Sequence, residues 1–508
     1  MTMAHTHPHT RIHQCFDERV AQAPDQPFLF LPNGEMTLRE LSACVDQLEA
    51  ELRADGVRPG DRVLVAAENC PEHVALVLAC SRVSAWACGV NARMTAAEVA
   101  AFTDKADARV VYFTTGVSEA ARQHAQLQPT RASVLPGLQR SAVRQQATVQ
   151  TGPLAEQVAA VIFTSGTTGQ PKGVLVSHAG LLQFGRISAE SRQLGPEDRS
   201  YAYLPMTHIF GLGTILMASL HARAGLLMRS HFDPADVFDA LAHHGMTQLQ
   251  GPPAMFTRLL GWLDAQGIEH PEAPHLHYVY TGAAPLDMSV KRAVQQRFGK
   301  PLHHGYGLSE YAGALTLCAK DVWREDTSAG YLVDGAELRI VDAEGRDVPL
   351  GETGEIWMRG VGLMPGYFRD PEITAQVMKP GGWYASGDLG RQAEDGALTV
   401  VGRLKEMIIR SGFNVYPGEI EAVLLAWPGV QKAAVAGRPV GDGNEEILAF
   451  VEPKLGATLD LDALRAHLHA QLAPYKQPSV LLCVAEMPMT HSGKVLKREL
   501  VAQLPTAV

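Results

Sequence analysis

Between Thr37 and Lys105 the chain switches repeatedly between two incompatible apolar periods, and this switching most limits the folds open to it. LRELSACVDQLEAELRADGV places its apolar residues at helical spacing and ends at Gly56, a helix stop. DRVLVAA follows the Pro59-Gly60 turn as a short, wholly apolar run, which predicts a buried strand. CPEHVALVLACSRVSAWACGV repeats the theme, a helix running into a strand. Strand and helix in strict alternation imply a mostly parallel sheet with helices on both faces. A second α/β run extends from Val158 to about Lys320. With 508 residues the chain is too long for one core and should form two to four domain-sized units.

The remaining segments differ in character. Arg122 to Pro153, rich in Gln, Arg, Ser and Pro without a period, reads as surface linker. AELRIVDAEGRDVPLGETGEIWMRG alternates polar and apolar residues with close Gly-bearing turns, the pattern of a small antiparallel barrel or distorted sheet. ALTVVGRLKEMIIRSG is a further meander leading into a compact α+β tail from about Leu404 to Val508. No repeat of fixed period and no heptads occur.

Composition excludes several functions. The net charge of −10 is spread over both signs, without the clustered Lys and Arg that a nucleic-acid groove needs. The most apolar stretch, Ile209 to Met228, is interrupted by His221 and Arg223; it reads as buried core and predicts no stable membrane insertion. MTMAHTHPHTRIH lacks a signal-peptide core, and its histidines read as a frayed tail. Seven cysteines, an odd number with no Cys-x-x-Cys spacing, suit a reducing cytoplasm rather than a disulfide framework or zinc site.

The sharpest local signal is Thr164-Ser165-Gly166-Thr167-Thr168-Gly169-Gln170-Pro171-Lys172-Gly173, set between apolar runs. Small glycine and hydroxyl residues let backbone N–H groups approach phosphate oxygens, and Lys172 adds a charge. It is not a Walker loop, since Pro171 stands where that motif has Gly and no Ser or Thr follows the lysine. Further signals follow in order: Leu204-Pro205-Met206-Thr207-His208, Thr281-Gly282-Ala283-Ala284-Pro285, Gly305-Tyr306-Gly307-Leu308-Ser309-Glu310, Tyr384-Ala385-Ser386-Gly387-Asp388, Gly402-Arg403-Leu404-Lys405-Glu406 and Ser492-Gly493-Lys494. Each alone is weak. Together, over about Phe28 to Leu500, they resemble the adenylate-forming family of acyl-CoA synthetases, luciferases and peptide-synthetase adenylation domains.

The resemblance implies a large N-terminal unit, residues 1–402, of two doubly wound sheets plus a small β-barrel, and a small mobile α+β unit, residues 403–508. It implies ATP and Mg²⁺ as cofactors and coenzyme A as co-substrate, with a small-molecule carboxylic acid activated as its adenylate. A homodimer is compatible with such a chain. Tyr306 would stack on adenine, with Gly307 beside it in the same motif; Gly282, Ala283 and Ala284 would admit the purine or acyl group against backbone. Ser309, where the family often has Thr, would donate to the α-phosphate, and Glu310 would hold Mg²⁺. Asp388 would accept from both ribose hydroxyls, supported by Arg403. Lys494 would be the catalytic lysine that bridges the carboxylate and the α-phosphate. His208 is either a gate between the nucleotide and acyl halves or a core histidine.

For two steps at one site the resemblance implies rotation of the small unit about a hinge at Lys405, which would bring Gly412 and Phe413 to face the pantetheine arm. The loop Gly437-Arg438-Pro439-Val440-Gly441-Asp442 lacks the Pro-Asp pair that relatives often have, which leaves the CoA nucleotide contacts open. Amino-acid-activating relatives place an acid after the His208 region, where this chain has Phe210-Gly211. A dicarboxylate would require a buried cation. The candidate lining (Phe210, Thr214, Tyr280, Gly282, Tyr311, Ala312, Gly313, Ala314) shows no arginine, so the expected acid is apolar, a medium-chain fatty or aryl acid. An adenylating enzyme that loads a carrier-protein phosphopantetheine is the alternative.

Overall fold

Thr37 and Glu40 cap the first long helix reciprocally. The Glu40 amide donates to the Thr37 hydroxyl at 3.2 Å, and the Thr37 amide donates to the Glu40 carboxylate at 2.7 Å. The helix, Leu38–Ala54, buries Leu41, Val45, Leu48 and Leu52, one stripe at helical spacing, and packs on the helix Pro71–Arg82. All six residues of the strand Arg62–Ala67 are buried, as expected of a strand covered on both faces. The computed structural model describes residues 8–165, 171–410, 413–441, 444–454, 456–489 and 495–504.

Two seven-stranded sheets form the large part of the molecule. In the first, Val110–Phe113, Arg62–Ala67, Trp86–Asn91 and Val158–Ser165 run parallel, and Pro171–Ser177 closes one edge antiparallel. In the second, Leu302–His304, Tyr278–Thr281, Gln248–Gly251, Arg199–Ala202, Gly225–Met228 and Pro27–Leu31 are parallel neighbours in that order, with Gly34–Thr37 antiparallel at the edge. One apolar cluster runs from Phe28 and Leu41 through Val63 and Val174 to Leu249 and Tyr280, so both sheets share a core.

The expected linker is structured. It holds the helix Glu119–Gln126 and two short strands, Thr130–Ala132 and Gln139–Ser141, at the edge of the first sheet. Arg140 is buried there and pairs with Asp55 and Glu51. Strands of three residues carry no readable period, and the ion pairs that hold them are distant in sequence.

The antiparallel region is a five-stranded sheet of Ala336–Val341, Gly354–Gly360, Trp383–Gln392, Met378–Lys379 and Leu398–Arg403, beside a three-stranded one of Tyr306–Leu308, Gly313–Leu317 and Tyr331–Leu332. Register shifts within both make them distorted sheets. The tail forms a third architecture: strands Val430–Gly441, Asn444–Pro453 and Val480–Cys483 with helices Pro417–Leu425, Leu461–Gln471 and Lys497–Ala502. Its two buried clusters contain only residues from Ile408 onward.

Apart from His221, Ala222 and Arg223, Ile209 to Met228 is buried, as expected, but its helix begins as a π-helix over Phe210–Met217 and continues as α-helix over Ala218–Ala222. Gly211 explains part of this course, since a Cβ there would lie 2.3 Å from the Pro205 carbonyl oxygen. Wide turns of this kind gather at functional sites. Among the described residues no helix is long and apolar enough to cross a membrane.

Candidate active site

Among the described residues, those of the motifs converge where the second sheet, the distorted sheets and the start of the tail meet. Tyr306 donates its hydroxyl to Asp388 Oδ2 at 2.7 Å, and Arg403 Nε lies 3.2 Å from Asp388 Oδ1. Asp388 and Arg403 are register partners on neighbouring strands. The turn before Asp388 is pinned: the Gly387 amide donates to Glu355 at 2.9 Å, and the Asp388 amide to the Ser386 hydroxyl at 3.0 Å. Burial, and then the Asp388 charge, push the Tyr306 phenol well above its ordinary pKa, so it stays a donor. Each Asp388 oxygen thus has one protein partner and keeps acceptor capacity for a diol. Gly307 is required beside it, because a Cβ there would stand 2.3 Å from the Gly313 carbonyl oxygen.

Glu310 follows the buried Ser309 in a tight 3₁₀ turn. Tyr367 donates to Glu310 Oε1 at 2.8 Å and touches the Tyr384 hydroxyl at 3.2 Å. Lys172 Nζ lies 5.0 Å from the centroid of the Tyr367 ring. The segment from Gly366 to Phe368 joins the edge strand Pro171–Ser177 through Leu175 N to Gly366 O at 3.1 Å and Phe368 N to Gly173 O at 2.7 Å. That pairing brings the end of the hydroxyl-rich loop to Glu310. Thr164 pairs with Lys172 across the same hairpin, and Ser165 with Pro171. Gly166, Thr167, Thr168 and Gly169 lie outside the described residues, as do Gly412 and Lys494. No group of three or more His, Cys, Asp or Glu poised for a metal occurs among the described residues. A single carboxylate braced by a phenol fits a hard cation that takes its other ligands from phosphates and water.

Gly282, Ala283 and Ala284 turn the chain at the end of Tyr278–Thr281. Ala283 sits at φ +67°, a strained value for a residue with a Cβ. The turn wraps the Tyr280 hydroxyl, which lies 2.4 Å from where a Cβ on Gly305 would stand. His208 is exposed, which removes the core alternative. Its Nδ1 accepts from the Phe210 amide at 3.2 Å, leaving the proton on Nε2. Phe210 meets Tyr280 edge to face at 5.8 Å. One buried arginine touches the expected lining through a backbone carbonyl. Arg192, buried at the end of the helix His178–Arg192, donates to the Thr214 carbonyl at 2.6 Å.

Phe413 is not brought to this cluster. It is exposed and stacks on Tyr475 at 4.5 Å, within the tail. Lys405 lies in the turn Leu404–Glu406, whose Glu406 is bound by Lys497 at 3.2 Å, while the same ammonium holds Glu421 at 2.7 Å. Burial, then Arg403, lower the Lys405 pKa.

Residues 16–368 match the family model described as AMP-binding enzyme, and residues 419–494 match the AMP-binding enzyme C-terminal domain. The chain belongs to the AMP-binding enzyme family. This AMP-binding enzyme is 33% identical to a feruloyl-CoA synthase of an Amycolatopsis species over 91% of its own length and 93% of the relative's. It is 31% identical to a sulfoacetate–CoA ligase of Cupriavidus necator over 95% and 96%. Among solved structures it is similar to MatB from Rhodopseudomonas palustris, at 28% identity over 97% of this chain and 98% of that one. The TM-score is 0.85 for the ATP-bound form and 0.76 for the apo form. Tyr367, through its hydrogen bond to Glu310, is the residue of this candidate site that sequence reasoning missed; Gly366-Tyr367 in MPGYFRD offered only a turn signal.

Proposed function

We propose that this AMP-binding enzyme activates an aryl or medium-chain acid, with Asp388, Glu310, His208 and Lys494 in distinct roles. The chain is an ATP-dependent acid–thiol ligase that forms an acyl-adenylate and then an acyl-CoA. In the first step a carboxylate oxygen attacks the α-phosphorus and pyrophosphate leaves. In the second the CoA sulfur attacks the acyl carbon, AMP leaves, and the thiol proton passes to solvent.

The observation that carries the site reading is the Tyr306–Asp388–Arg403 arrangement, a fixed two-oxygen acceptor beside an aromatic ring. In this reading Asp388 holds the ribose while Tyr306 lies against adenine. Lys172 and the loop from Thr164 to Gly169 hold the phosphates, joined by Ser309. Magnesium, when bound, would neutralise phosphate charge, and Glu310, oriented by Tyr367, would be its protein ligand. His208, with its proton on Nε2, stands between the two halves and donates to the incoming carboxylate. Lys494 would supply the ammonium where two anions meet.

We divide the chain into residues 1–402 and 403–508, hinged near Lys405; the separate cores on either side support this. Rotation there would carry Gly412 and Phe413 to the CoA entry. The nearer likeness to ATP-bound MatB supports an adenylating arrangement of the present form. The free thiols suit work in the cytoplasm, and a homodimer is the assembly that a sizing column would check.

The test is a panel of acids from acetate to C16, with benzoates and cinnamates, assayed for pyrophosphate exchange and for AMP release with free CoA. Exchange without CoA-dependent release would transfer the reading to carrier-protein loading. Absence of both would refute it.

A further inference from the structure

The nucleotide end of the site is assembled from two separately built parts. Tyr306 opens the strand Tyr306–Leu308, just after the edge strand Leu302–His304 of the second sheet. Asp388 and Arg403 sit on the hairpin of Trp383–Gln392 and Leu398–Arg403. The 2.7 Å hydrogen bond from Tyr306 to Asp388 crosses between the parts. Hydrogen bonds weaken steeply as distance and angle depart from their optimum, so an acceptor for a diol must be held in place before the ligand arrives.

The segment from Arg324 to Gly330 crosses the same gap, and no motif of the site includes it. On the side of the second sheet, His304 Nδ1 donates to the Thr327 carbonyl at 3.0 Å, since a carbonyl can only accept. Buried Lys291, from the helix Met288–Phe298, donates to the Asp326 carbonyl at 2.5 Å. On the hairpin side the Ala329 amide donates to the Leu398 carbonyl at 2.7 Å, and the Leu398 amide to the Gly330 carbonyl at 2.9 Å. His304 stands two residues before Tyr306, and Leu398 is the register partner of Gln392, four residues beyond Asp388. The strap therefore grips both parts close to the residues that meet the nucleotide.

Arg324 locks the strap. Its Nε and Nη2 fork onto Asp326 at 3.0 and 2.6 Å, and its Nη1 reaches Asp395, in the turn of the hairpin, at 2.7 Å. The Tyr331 hydroxyl lies against the same Nη1 and donates to Asp395 at 3.3 Å. Asp326 also accepts from the Ser328 amide and hydroxyl, at 3.0 and 2.7 Å, and Asp395 from the Ala397 amide at 3.0 Å. The Arg324 fork, before any other cause, holds the Asp326 carboxyl well below the usual carboxylate range. A lone exposed ion pair contributes little, but here the arginine side chain is only 14% exposed and all three of its nitrogens are engaged. A planar fork bound on two sides fixes geometry, which a single lysine ammonium could not do.

We propose that Arg324 is a positioning residue for nucleotide recognition, bracing the hairpin against the second sheet so that Asp388 meets the ribose hydroxyls. This rests on the reading of Asp388 as the ribose acceptor in an acid–thiol ligase. Arg324 itself touches no substrate; it acts through Asp395 and the strap on the spacing between Tyr306 and Asp388.

The experiment measures kcat/KM in pyrophosphate exchange with ATP, 2′-deoxy-ATP and 3′-deoxy-ATP, using an acid from the panel above that supports exchange. Wild type should favour ATP over each deoxy analogue by about tenfold or more, the scale of one hydrogen bond to a carboxylate. In Arg324→Met and Asp395→Asn that ratio should fall to about threefold or less, through a raised KM for ATP, while the KM for the acid stays within about twofold. A strap with a purely structural role would lower the melting temperature and slow all three nucleotides alike. An unchanged ratio in folded variants therefore overturns the proposal and leaves the ligase reading standing. Should Arg324→Met not fold, Asp395→Asn, an isosteric change in the hairpin turn, decides by itself. Equal use of ATP and its deoxy analogues by wild type overturns the proposal together with the ribose role of Asp388. Absence of exchange with every acid removes the ligase reading itself.

Discussion

Tyr367→Phe isolates one hydroxyl at the phosphate end of the site. The ring stays, and with it the Lys172 contact at 5.0 Å, while the 2.8 Å hydrogen bond to Glu310 is lost. A hydrogen bond to a carboxylate contributes about 1.5–3 kcal/mol. Glu310 is half-buried, so water replaces part of the lost donor and the lower end applies. About 1.5 kcal/mol corresponds to a roughly tenfold fall in kcat/KM for ATP in pyrophosphate exchange. The KM for the acid should stay within about twofold, and the Mg²⁺ concentration for half-maximal exchange should rise. Direct ATP binding by calorimetry in the presence of Mg²⁺ should weaken in parallel. A melting curve within a few degrees of wild type excludes misfolding. If ATP parameters are unchanged, or if acid and ATP are affected equally, Tyr367 does not orient Glu310 toward the phosphates.

Lys494→Ala should slow adenylation by roughly 10²–10³, the scale of losing one preorganised charge, while thioester formation from supplied acyl-AMP survives; equal losses in both half-reactions would refute the separated role. Lys405→Pro fixes φ near −65° and removes an N–H, so pyrophosphate exchange should persist while acyl-CoA formation is mostly lost, measured on one preparation with a melting curve. Stability should fall with acid. Burial depresses His73, His178 and His303 from 6.5 to about 4, 3 and 4, so the unfolded chain takes up protons first. Their contribution is complete above pH 6.5 and is lost as pH falls from there toward those values, by up to about 1.4 kcal/mol per group per pH unit. The urea midpoint should therefore drop between pH 7 and pH 5, and His303→Phe, with no proton to gain, should flatten the slope; an equal midpoint at both pH values would show that these imidazoles do not govern acid sensitivity.

The legible parts of this fold are those where one face of one element is repeated often enough to show. Leu38–Ala54 displays its stripe over several turns and its cap in the sequence itself, and Arg62–Ala67 is apolar throughout. The π-helix was hidden because an all-apolar run such as Phe210–Met217 has no period to measure. In the site, residues announced by small-residue turns were readable: Asp388 after Ser386-Gly387, Glu310 after Gly307-Leu308-Ser309. Tyr367 reaches Glu310 across 57 positions, so it lies near no motif that would mark it. Contacts of that kind are made by topology, and local sequence carries no trace of them.

The strand Pro27–Leu31 belongs to the second sheet, although the chain between Arg62 and Ser177 builds the first. Leu29 pairs with Leu226, so the segment emerges from a ribosome with its partner still about 200 residues from being made. At roughly 5–20 residues per second that is a wait of some 10–40 s. Throughout it PFLFL must be kept from other edges, shielded by its own hairpin with Gly34–Thr37 or by a chaperone. Slowing translation between Ser177 and Met228 therefore prolongs the time in which a sticky N-terminal hairpin is available to neighbouring nascent chains, and the yield of soluble protein should respond to codon choice in that interval.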